Sequence, residues 1–101
     1  MESMEDRLMD FGRVMKVVTE LMDVTDQEIV GSSRVPEVVD ARWMVIELMS
    51  ERGYSSRQIS CLINHPKRTV NNALAEFNDR VRYGGSHLSN MLAIARQQLR
   101  L

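Results

Sequence analysis

The residues best suited to chemistry lie close together: His65, Lys67, Arg68, Thr69, Asn71 and Asn72. Lysine and arginine carry long donors that match the acceptors on guanine, and the asparagine amide matches the edge of adenine. A threonine hydroxyl suits a phosphate oxygen. This is the chemistry of recognition, not of bond making. The serines, histidines and aspartates have no nucleophile elbow or comparable frame around them, so no enzyme is expected. Cys61 and His65 are four residues apart and His87 lies further on. These three fall short of the four well-spaced ligands that zinc usually takes, so no metal is expected. No G-x-x-x-x-G-K-S/T run occurs, so neither a nucleotide nor another cofactor is expected.

Six helices are expected to position these residues. Leu8, Phe11, Met15, Val18 and Met22 fall at spacings of three and four, with Val14 and Leu21 widening the stripe. Residues 1–6 are polar and are expected to fray. Thr25 and Glu28 form a capping-box pattern that opens a short helix ending at Gly31. The segment from Gly31 to Pro36 lacks periodicity and reads as a loop. Residues 37–52 carry Val38, Ala41, Val45, Leu48 and Met49 on one face, with Trp43, Met44 and Ile46 close to it. A helix apolar on most of its surface is expected at the centre, with Gly53 as its stop.

Ser55 and Gln58 repeat the capping-box pattern and open a helix of two turns through Ile63. Asn64, His65 and Pro66 interrupt it, and Pro66 suits the first position of the next helix. That helix is expected to run to about Arg82, with Val70, Ala73, Leu74, Phe77 and Val81 inward. Gly84 and Gly85 break the chain, and Ser86 is expected to cap a last helix striped by Leu88, Met91, Leu92, Ala95 and Leu99. Cys61 is expected to be a partly buried helical residue. The methionines follow the helical stripes and read as core filler. A short helix, a turn of about three residues and a longer helix form the helix-turn-helix pattern, here over residues 55–82.

The 101 residues allow one domain, and 44% hydrophobic with 27% charged residues fits a globular chain. The longest apolar runs are a few residues, far below a membrane span. The start of the chain is acidic, with Glu2, Glu5 and Asp6, and shows no signal-peptide pattern. A lone cysteine excludes an internal disulfide framework and suits a reducing cytoplasm. The net charge of −1 conceals a division: residues 1–30 carry eight acids and three bases, whereas residues 51–101 carry three acids and eight bases. No acid occurs between Arg52 and Ala75. A polyanion responds to such a local field rather than to the sum.

Residues from about Phe11 to Phe77 resemble the C-terminal DNA-binding domain of the bacterial chromosomal replication initiator (DnaA) family. Two stretches carry the resemblance: Arg34-Val35-Pro36-Glu37-Val38-Val39-Asp40-Ala41-Arg42, and Tyr54-Ser55 followed by Ile59-Ser60 and Leu62-Ile63-Asn64-His65-Pro66-Lys67-Arg68-Thr69-Val70. The first is similar to the family's basic loop and long helix, the second to its signature ending in Thr-Val. The resemblance implies an all-α helical bundle with a Trp-repressor-like helix-turn-helix. It implies that Arg34 enters a minor groove, that Arg42 lies near the phosphate backbone and that Thr69 contacts DNA. The family's base-reading Asp-His pair is Pro66-Lys67 here, the next Ser/Thr is Arg68, and its glycines are Ser60 and Asn64. The scaffold is similar while the reading surface is rewritten. Residues 84–101 add a helix with no counterpart.

The expectation is therefore a cytoplasmic, nucleoid-associated bacterial protein that binds double-stranded DNA sequence-specifically, in replication initiation or its regulation. Lys67, Arg68 and Asn71 would meet base edges, with Asn72 and His65 beside them. Arg34 would reach the minor groove, and Arg42, Arg57 and Thr69 would hold phosphates. The alternative is a protein-interaction module, in which the acidic, methionine-rich first helix and the last helix pack on another chain or form a homodimer without DNA binding.

Overall fold

The computed structural model describes residues 3–84 and 86–100, and every regular element among them is an α-helix. Helix α1, Met4–Met22, starts at Ser3, whose hydroxyl accepts from the Asp6 amide while the Asp6 carboxylate accepts from Ser3. Met4, Glu5 and Asp6 are therefore helical rather than frayed. Asp23, in the left-handed region, ends the helix. Helix α2, Asp26–Val30, opens on the Thr25–Glu28 capping box, which satisfies two N-terminal donors at once. Helix α3 spans Pro36–Glu51 with Pro36 at its first position. Gly53, at φ +96°, turns the chain away after it, as only glycine does without strain.

Helix α4, Ser56–Ile63, opens on the Ser55–Gln58 box and closes on Asn64 at φ 60°. Helix α5 spans Lys67–Tyr83, and Pro66 caps it from outside rather than entering its first turn. Helix α6 spans Ser86–Arg100, with Ser86 inside it as its first residue. The expected break at Gly84 and Gly85 falls partly outside the described residues, which omit Gly85.

Helix α3 is central because its sequence leaves it little surface to show water. Val38, Ala41, Met44, Val45, Ile46, Leu48 and Met49 are all buried, and α3 packs against each of the other five helices. Around it, Val14 and Val18 of α1, Ile29 of α2, Ile59 and Ile63 of α4, Val70 and Phe77 of α5, and Leu92 and Ala95 of α6 complete one core. The Cα radius of gyration of 12.5 Å is close to the roughly 13 Å expected of a compact chain this long. Among the described residues no helix is long and apolar enough to cross a membrane.

The stripe of α1 packs on the core along its length except at Leu8. Met15 and Val18 are buried and Phe11 half-buried, but Leu8 is 55% exposed, contrary to its expected core position. The first turns of α1 leave Met4 and Leu8 largely uncovered, while Met4 and Arg7 border a groove against α4. They are tied down by Asp10, which accepts from Arg52 at 2.8 Å and from the Tyr54 hydroxyl at 2.6 Å. Those two bonds, the tyrosine's first, hold the Asp10 carboxyl below its ordinary range.

Candidate nucleic-acid interface

Helix α5 divides cleanly by period. Val70, Ala73 and Phe77 face the core, so positions 68, 71, 72 and 75 must point the other way. Lys67, Arg68, Asn71 and Asn72 are exposed, and Thr69 is half-buried. No side chain caps the start of α5. Its first amide donors and two cations therefore stand together, with no acid in the first turn. Cations at this end oppose the helix dipole, which costs a few tenths of a kcal/mol. Neither Lys67 nor Arg68 forms a side-chain hydrogen bond or ion pair with another described residue. The Asn71 side-chain oxygen accepts from Ser56 Oγ at 2.6 Å, which pins the second turn of α5 to the first of α4.

The turn between the helices is held from inside. Asn64 adopts left-handed backbone, which asparagine tolerates better than most residues. Ser60 Oγ donates to the His65 carbonyl at 2.5 Å. His65 Nε2 lies 2.8 Å from the Gly31 carbonyl oxygen. A carbonyl can only accept, so Nε2 carries the proton. Burial first, and then the neighbouring Arg42 charge, push the His65 pKa down, which keeps the ring neutral. His65, expected beside the DNA, is thus a half-buried tie whose ring fastens the turn to the loop bearing Arg34. It positions other groups.

Arg42 requires a larger correction. It is 5% exposed and makes no surface for phosphate. Its Nε donates to the Ile29 carbonyl at 2.7 Å, Nη1 to Ser33 at 3.0 Å, and Nη2 to Glu28 at 2.9 Å and Gly31 at 3.0 Å. A planar fork of fixed donors fits a loop whose carbonyls converge, which a lysine could not match. Burial lowers its pKa, but four oxygen acceptors surround the charge. Arg42 is a clamp on residues 28–33.

Arg34 projects from the clamped loop and is exposed, with no side-chain partner among the described residues. Arg57 is also exposed, with no partner among the described residues, but it sits on the outer side of α4. There it shares a shallow groove with Met4 and Arg7 of α1 and with Cys61 and Leu62. Cys61 is exposed, not partly buried. The structure thus joins the Arg34 loop to the start of α5 through His65, leaves Arg57 on an adjoining side, and removes Arg42 to the interior.

The bonds made by Ser56, Ser60 and the Arg42 acceptors leave little trace in the sequence. A second serine behind a cap residue is the faint signal for Ser56. Nothing marks backbone carbonyls in advance. Among the described residues, no group of three or more His, Cys, Asp or Glu side chains is placed to hold a metal. Elsewhere Arg80 pairs with Asp40 and stacks over Trp43 with 5.1 Å to the ring centroid, so Trp43 lies half-buried beside a cation rather than within the core. Arg96 pairs with Glu51, which raises its pKa further. No family model, curated protein or solved structure matches the chain.

Proposed function

We infer that the chain binds double-stranded DNA sequence-specifically, with α4, the Asn64–Pro66 turn and α5 acting as a helix-turn-helix. One observation carries the reading. Helix α5 opens with no side-chain cap, and its Lys67 and Arg68 are exposed and have no ion-pair partner among the described residues, on a stretch of chain that has no acid. A phosphate nearby would satisfy the first amides and offset the unfavourable dipole contact. Arg68 and Asn71 then face base edges in the major groove, with Lys67 and Asn72 at their sides. Thr69 and Arg57 hold phosphates, and Arg34 reaches the adjacent minor groove.

The resemblance to the replication-initiator domain supports the same reading and suggests a role in initiation or its control. The substitutions at Pro66, Lys67 and Arg68 suggest a target unlike that family's usual sites. A bacterial, nucleoid-associated setting goes with this reading.

Selection from a random duplex library tests binding and returns the site together. Wild type is expected to enrich one motif, with affinity falling steeply as salt rises. Arg68→Ala should relax preference at one base position, by about 1–3 kcal/mol of discrimination. Arg57→Ala should weaken all sequences alike and flatten the salt slope by about one unit. Binding by both variants equal to wild type at moderate salt would remove this face from consideration.

A further inference from the structure

The start of α1 carries apolar side chains that the core does not cover. Met4 is 61% exposed and Leu8 55%, although both lie in line with buried Met15. Met9 is 66% exposed nearby. Monomeric proteins rarely leave such side chains grouped without a use. Gly12 stands on the same face, and a Cβ added there would meet nothing within 4 Å. Glycine in a helix interior weakens the helix relative to alanine, and no described residue occupies the room it leaves. Shallow apolar grooves flank the ridge. One lies between Met4 and Leu62, the other between Phe11, Met15 and Val30. Helices pack by setting ridges into grooves of this kind.

The charges identify the occupant. Glu5 and Lys16 are eleven residues apart, three helical turns, and so share this face. Both are exposed, and neither forms an ion pair with a described residue. If two α1 helices run antiparallel about a two-fold axis between Asp10 and Phe11, Glu5 of each copy opposes Lys16 of the other. The same register sets Met9 of each copy opposite Gly12 of the other, a long side chain against an open space. A two-fold interface requires one patch to be complementary to itself, and this patch is. We propose that this face of α1 is a self-association surface on which a second copy of the chain docks through its own α1.

The test is sedimentation equilibrium of the purified full chain, without DNA, from micromolar to millimolar concentration. The mass should rise from 11.6 kDa toward twice that value. Lys16→Glu sets like charges opposite twice and should weaken the dimer roughly tenfold. Glu5→Lys combined with Lys16→Glu should restore it. Gly12→Leu adds its Cβ where nothing lies within 4 Å, so it should keep the helical circular-dichroism spectrum while losing the dimer. A single 11.6 kDa species throughout overturns the proposal. So does a dimer indifferent to Gly12→Leu, or a charge reversal that the double variant fails to rescue. Because DNA is absent, none of these results bears on the DNA-binding reading.

Discussion

Replacing Arg42 with methionine separates the two roles this residue could have. Methionine keeps most of the aliphatic stem and removes the guanidinium. Of the four hydrogen bonds lost, the one from Nε to the Ile29 carbonyl is buried, and three are part-buried. A hydrogen bond to a charged group contributes about 1.5–3 kcal/mol. The three rim carbonyls can find water instead, so each of those bonds counts for only about 0.5 kcal/mol. The loss is then about 3–4.5 kcal/mol, or on the order of 15–20 °C in Tm for a domain of this size. Urea unfolding followed by circular dichroism measures it, with the denaturant slope unchanged if only stability has altered. A loss below about 1 kcal/mol, joined to a DNA salt slope lowered by about one unit, would refute the clamp and return Arg42 to the phosphate backbone.

Two further perturbations probe the turn and its ties. Asn64→Val places a β-branched residue at φ 60° and should cost about 1–2 kcal/mol in urea unfolding, whereas Asn64→Gly should be nearly silent. Equal effects of the two would mean that left-handed backbone is not what Asn64 supplies. Stability should also fall with acidification. His65 is held below its ordinary 6.5, so the unfolded chain takes this proton more readily. The stability gained from a neutral ring is complete above about pH 6.5 and is lost as pH falls through the folded value. His65→Gln should abolish that slope, and a wild-type urea midpoint constant from about pH 7.5 to 5 would contradict it. Asp10, held below 3.8, acts in the same direction only at more acid pH.

Helix positions were largely legible because local rules set them. The Thr25–Glu28 and Ser55–Gln58 boxes, Gly53 and Asn64 each act within a few residues, and each marks a boundary in the structure. The apolar period of α3 likewise announced its place at the centre. What escaped was set by distant chain. Leu8 obeys the α1 period, but no spacing rule says where the bundle stops covering that stripe. Arg42 reads as a surface cation because its partners are carbonyls of an aperiodic loop, which leave no mark on side-chain identity. The tie from His65 to Gly31 and the pair of bonds at Asp10 join residues more than thirty positions apart, beyond any local pattern. On α5, by contrast, the division into inward apolar and outward polar positions was readable, since one helix period fixes both.

That α3 touches every other helix governs how the molecule comes apart. There is no peripheral pair whose loss would leave a self-sufficient remainder, so opening α3 to solvent requires most of the core to part. Its central amides should be the last to exchange with deuterium, at rates reporting global unfolding. The uncovered first turns of α1 should exchange far sooner. The loop carrying Arg34 is fastened to α3 by Arg42 through its carbonyls, so it should keep its conformation until α3 opens, even though that clamp leaves its amides free to exchange.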